Sequence, residues 1–102
     1  MARYYYMTET TCMDPKREKE FNEWYSNVHI PDIAKAGGVI QANRFQLAGP
    51  AEGKSKYMTL YEIEYEDFEA WRDAVRKIIG PDPDFIRVDM KTLYQKISSF
   101  PK

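Results

Sequence analysis

A single cysteine, a single histidine and no long apolar run set the first limits on this 102-residue chain. Cys12 has no second thiol for an internal disulfide and no neighbour at metal-ligand spacing, which excludes a disulfide scaffold and suits a reducing cytosol. One imidazole without a cysteine cluster argues against a nitrogen- or sulfur-ligated metal, and no cofactor is expected. No apolar stretch approaches the roughly 18 residues of a membrane span, and the opening MARYYYMTET lacks the apolar middle of a signal peptide. A cytoplasmic location away from membranes is therefore expected. Charge of one sign is missing too: fifteen basic residues against sixteen acidic ones leave −1, which gives no general attraction for nucleic acid or an anionic surface. No glycine-rich phosphate loop precedes a helix, since Gly37-Gly38 opens a strand instead. Nothing fixes a serine beside the one histidine, so no Ser–His–acid triad is drawn.

Apolar and aromatic residues are plentiful. Hydrophobic residues make up 43%, with eight Tyr, five Phe and two Trp, enough for one folded domain over residues 1–102. Residues 3–12 (RYYYMTETTC) read as a strand, with Tyr4, Tyr6, Thr8 and Thr10 on one face. Asp14 before Pro15 is a helix N-cap with proline at the first helical position. The helix is expected to bury Phe21, Trp24, Tyr25 and Val28 and to stop near His29, because Pro31 disfavours helical geometry at Ile30. Residues 39–47 and 56–65 are strands joined by a loop over 48–55. Paired as a hairpin centred on that loop, they set Asn43 near Tyr61, Phe45 near Thr59, and Arg44 diagonal to Glu62 on the opposite face. A second helix is expected over about 66–79, burying Phe68, Trp71, Val75, Ile78 and Ile79, with Gly80 as C-cap. A last strand fits within 86–98.

The order β-α-β-β-α-β is the ferredoxin-like α+β pattern, a four-stranded antiparallel sheet with two helices on one face. Several strands carry apolar residues on both faces. A second copy packed sheet to sheet about a two-fold axis, a homodimer, is the economical cover for the other face.

The runs EFNEWYSNVHIPDI, GGVIQANRFQLAG and KYMTLYEIE together resemble the dimeric α+β barrel superfamily and, within it, the EthD-like proteins. Such sequences carry a Trp-Tyr pair, a His-x-Pro shortly after, a Gly-led strand containing Arg, and a Tyr-x-x-Leu-Tyr-Glu-like strand. The resemblance implies a pocket in each subunit, between sheet and helices or opening toward the barrel, for aromatic, lactone or polyketide-like small molecules. It puts His29 at the motif histidine, and Trp24 and Tyr25 at the aromatic pair. The superfamily includes isomerases, cyclases, dehydratases, cofactor-free monooxygenases, haem-degrading enzymes and proteins without known activity, so fold does not fix reaction. A haem-degrading member would bring an axial histidine on the second helix, and residues 66–80 hold none.

Two roles fit His29. As a general acid–base it would exchange a proton near neutral pH, with Asp32 orienting the ring. As a plain helix terminator it would bond a last-turn carbonyl and complement the helix dipole. Tyr61 is the favoured phenol for donating to a carbonyl or enolate, with Asn43 beside it and Tyr57 on the same strand. Phenols on strands are otherwise ordinary core. Arg44 either binds a substrate carboxylate or pairs with Glu62 across the strands. The reading is a cofactor-independent enzyme using general acid–base chemistry. The alternatives are a non-catalytic homodimeric ligand-binding or accessory protein, or a cofactor-free monooxygenase.

Overall fold

Alternation of aromatic and β-branched residues makes Ala2–Cys12 a strand, β1, in the structure, a computed structural model that describes residues 1–102. Asp14 caps the next turn by accepting from the Lys16 amide, and Pro15–Arg17 forms a 3-10 turn. The helical layer continues through α1 (Glu18–Trp24), a π-helical turn (Tyr25–His29) and α2 (Ile30–Ala34). Then come β2 (Val39–Gln46), β3 (Tyr57–Tyr65), α3 (Phe68–Arg76) and β4 (Ile86–Tyr94). The four strands form one antiparallel sheet in the order β2-β3-β1-β4, the ferredoxin-like α+β arrangement.

The helices cover one sheet face, and the core lies between. Phe21, Tyr25, Tyr57 and Phe85 form one buried cluster, and Ile33, Tyr61, Ile63, Trp71 and Val75 form the other. Gly38 is required where α2 turns into β2: its φ is +84°, and an added Cβ would lie 2.7 Å from Tyr65 Cδ1 and 2.9 Å from the Glu64 carbonyl. Asp89 ties β4 to its neighbours, accepting from Thr11, Ser55 and Arg87. The other sheet face is open. Phe45, Met58, Glu9 and Met90 align across all four strands, and the next row reads Asn43, Leu60, Met7 and Thr92. Phe45, Met90 and Tyr94 each stay about half exposed there, at 48, 54 and 51%.

Four expectations are corrected. The helix does not stop near His29; it runs on through Pro31 to Ala34. A π-turn, closed by the Ile30 amide on the Tyr25 carbonyl, widens the backbone where the proline ring would clash with the carbonyl four residues back. The same widening turns Val28 out of the stripe, leaving it 47% exposed, while Ile30 and Ile33 pack inward. Gly80 is not a left-handed C-cap, because α3 already ends at Arg76 and the Ile78 and Ile79 amides close on Val75, leaving Ile78 exposed. The β2–β3 register also differs by one residue. Asn43 faces Leu60, Arg44 faces Thr59 and Phe45 faces Met58, with an irregularity between Val39 and Gln41 that takes up the offset. Shifting by one exchanges faces, so Arg44 points to the helices and Asn43 away from them.

Candidate active site

The π-turn decides where the histidine goes. In a turn closed from i to i+5, a residue shares a face with those four and five before it, which for His29 are Tyr25 and Trp24. The imidazole therefore stacks on the Trp24 indole, with ring centroids 4.5 Å apart and planes 19° apart. It meets the Tyr25 ring edge-on at 5.0 Å. Neither nitrogen bonds a last-turn carbonyl, and Asp32 is engaged by Lys35 Nζ at 3.0 Å instead of orienting the ring. Burial holds the imidazole pKa below its ordinary value, and the more distant charges of Asp82 and Asp32 offset this only in part. His29 is thus a neutral base at pH 7.

Beside it lies a half-open cavity of about 160 Å³ between the sheet and the helices. The inward residues of β1 and β3 form its floor. Tyr6 stacks on Tyr61 at 6.1 Å, and Thr8 Oγ1 and the Tyr25 hydroxyl share a hydrogen bond of 3.2 Å. Tyr61 lines the same floor at 1% exposure, and its hydroxyl is buried near the Tyr25 hydroxyl with no partner in hydrogen-bonding geometry. Burial pushes the Tyr61 phenol far up, so it stays protonated and can only act as a neutral donor or acceptor. Ile33, Trp71, Val75 and Ile79 supply apolar walls.

The expected site residues separate into two groups. His29, Tyr25 and Tyr61 meet at the cavity, and Trp24 stands behind the imidazole as its support. Asp32, Asn43, Arg44 and Tyr57 do not line it. Asn43 lies on the open sheet face, so the expected Asn43–Tyr61 pair does not form. Tyr57 packs against Phe21 at 5.1 Å and accepts from Asn22 Nδ2 at 3.3 Å. Arg44 does not reach Glu62, which receives the Tyr5 hydroxyl at 2.7 Å. The Arg44 guanidinium lies over Tyr25 at 4.6 Å and near Tyr57 and Phe21 at 5.4 and 5.5 Å. Its Nη1 donates to Ser26 Oγ at 3.2 Å, while Nε and Nη2 are buried without partners.

Sequence reasoning missed the basic mouth of the cavity. Arg72, Arg76 and Lys91 line it, with Asp82 the one carboxylate. Arg72 and Arg76 follow Trp71 and Val75 by one residue on α3, at the margin of the buried stripe. That offset is the signal that could have found them. No three His, Cys, Asp or Glu side chains converge as a metal site would need.

A family model described as "Domain of unknown function (DUF4286)" matches residues 3–78. No curated protein sequence matches the chain. Among solved structures, HapK from Hahella chejuensis is similar over 94% of both chains, with a TM-score of 0.65 at 12% identity. A Shewanella loihica protein provisionally described as a monooxygenase matches over 96% of this chain and 97% of its own, with a TM-score of 0.68 at 18% identity. An EthD family protein from Bacillus halodurans matches over 95% and 100%, with a TM-score of 0.53 at 20% identity. These likenesses are of fold, the fold that the motif resemblance implied.

Proposed function

We propose that this chain, which belongs to the family described as Domain of unknown function (DUF4286), is a cofactor-independent enzyme moving protons next to a carbonyl group. The observation that carries the reading is a neutral imidazole on the wall of an aromatic cavity whose floor holds a buried, unpartnered phenol. His29 takes a proton from the carbon beside the carbonyl, and its lone pair becomes the new N–H bond. The carbonyl oxygen gathers the charge and accepts from the Tyr61 hydroxyl. Return of the proton to another carbon completes an isomerisation; loss of a β-hydroxyl or attack on a second carbonyl gives dehydration or cyclisation. No redox partner enters the balance.

Size narrows the substrate. A cavity of about 150 Å³ holds one benzene-sized ring, so about 160 Å³ suits a single ring rather than a multi-ring polyketide. The absence of a carboxylate orienting His29 favours the second reading, a non-catalytic homodimeric ligand-binding or accessory protein. A cofactor-free monooxygenase would use the same proton abstraction and draws on the Shewanella likeness alone. In either case the half-exposed Phe45, Met90 and Tyr94 on the open sheet face support a second copy packed there. No helix is long and apolar enough to cross a membrane, and the lone Cys12 thiol supports a cytoplasmic setting.

The test is exchange of α-hydrogens of 3-oxocyclohexanecarboxylate in D2O, followed by NMR. His29→Ala should slow the catalysed exchange at least about a hundredfold while the fold persists. Equal rates for the variant and the parent would refute the general-base role. Binding without any exchange would favour the accessory reading.

A further inference from the structure

The mouth and the floor of the cavity differ in chemistry. On the mouth side stand three cations and one carboxylate: Arg72 and Arg76 from α3, Lys91 from β4, and Asp82 from the connection between them. Lys91 faces this side because it pairs opposite the buried Thr8. It has no acidic partner in the fold, and Arg72 reaches only Glu69, at 3.9 Å and on the solvent side. Arg76 holds Asp73 at 2.7 Å, an exposed pair that a ligand anion can share. The charges of Arg72 and Arg76 are felt at the cavity itself, where they partly offset the burial that raises the Tyr6 phenol. On the floor the polar groups are neutral hydroxyls: Thr8 and Tyr25 bond each other, and Tyr61 is buried with no partner in hydrogen-bonding geometry. A buried hydroxyl left unpaired is costly, and a ligand acceptor placed there removes the cost.

We propose that the cavity binds an oxo acid of about one ring, its carbonyl oxygen on Tyr61 and its carboxylate among Lys91, Arg72 and Arg76. The two ends of the site then fix the ligand's orientation, carbonyl inward and anion outward, and bring the carbon between them past His29. An uncharged ketone of the same size would enter either way round. Arg72 also flanks the Phe68 ring at 5.8 Å, which limits where its fork can swing. The proposal rests on the cavity being the ligand site argued above, and it adds the charge and polarity of what enters.

Three probes separate the two claims: 3-oxocyclohexanecarboxylate, its methyl ester, and cyclohexanecarboxylate, which lacks the ketone. Binding is read from the NMR signals of the chain's only imidazole. The oxo acid should bind at least about tenfold more tightly than either comparison compound, as a charge-assisted hydrogen bond and a newly satisfied phenol each predict. Lys91→Gln with Arg72→Gln should remove the advantage over the ester, and Tyr61→Phe the advantage over the ketone-free acid. Should Tyr61→Phe fail to fold, the ketone-free acid alone still tests the floor contact. Equal binding of acid and ester overturns the proposal and leaves the cavity as a ligand site. No response of His29 to any of the three overturns both.

Discussion

Arg44 offers the sharpest test of how the helix layer is held to the sheet. Its guanidinium is half-buried among Tyr25, Tyr57 and Phe21, at 4.6, 5.4 and 5.5 Å, with no carboxylate in contact. Attraction to the rings contributes roughly 1–2 kcal/mol, and the bonds from Nη1 to Ser26 Oγ at 3.2 Å and to the Asn22 carbonyl at 3.5 Å about 1 kcal/mol each. Against this stand two buried nitrogens, Nε and Nη2, without acceptors, each costing about 1–3 kcal/mol. The two sides nearly cancel. Arg44→Met keeps the length and apolar contact while removing both, so urea unfolding should show a change within about 1 kcal/mol. Arg44→Lys keeps the charge but concentrates it on a strongly hydrated ammonium that cannot spread over the rings, and should lose about 2 kcal/mol. Desolvation already pulls the Arg44 pKa down, in the direction that this ordering requires. A loss of about 3 kcal/mol or more for the Met variant, or a Lys variant as stable as the parent, would refute the reasoning.

Gly38→Ala should destabilise by at least about 2 kcal/mol in the same unfolding assay, because the new Cβ meets Tyr65 and the Glu64 carbonyl at a left-handed φ; an unchanged midpoint would contradict the turn geometry. Sedimentation at micromolar concentration should report a dimer, and Leu60→Asp, placed in the middle of the open face, should convert it to a monomer without unfolding. A stable monomeric parent would remove the second copy from the account.

The element order was legible because each signal was local. Asp14-Pro15 starts the helical layer by a cap and a preset φ, and Tyr57–Ile63 alternates as a half-buried strand must. What failed depended on one-residue shifts. The β2–β3 register turns on an irregularity near Ile40, and no composition marks which residue a strand leaves unpaired. That single offset moved Arg44 to the helix side and Asn43 away from Tyr61. Pro31 was read as a stop, yet a π-turn accommodates it, and the same turn carries His29 onto Trp24 and into the cavity wall. The structure places His29 at the cavity by a turn that the proline signal did not reveal, while the only sign of the cations at the mouth was their place one step off an apolar stripe.

The central claim is a neutral imidazole held in the cavity wall. Because His29 is the chain's only histidine, its Cε1 proton can be followed by NMR through a pH titration without assignment. Its folded pKa is depressed, so the base form persists below the ordinary midpoint and is lost only as pH falls through the lower, folded value. The account predicts a midpoint below about 6.5 and a resonance displaced by the Trp24 ring current. A midpoint at or above about 6.5 with an undisplaced signal would contradict it.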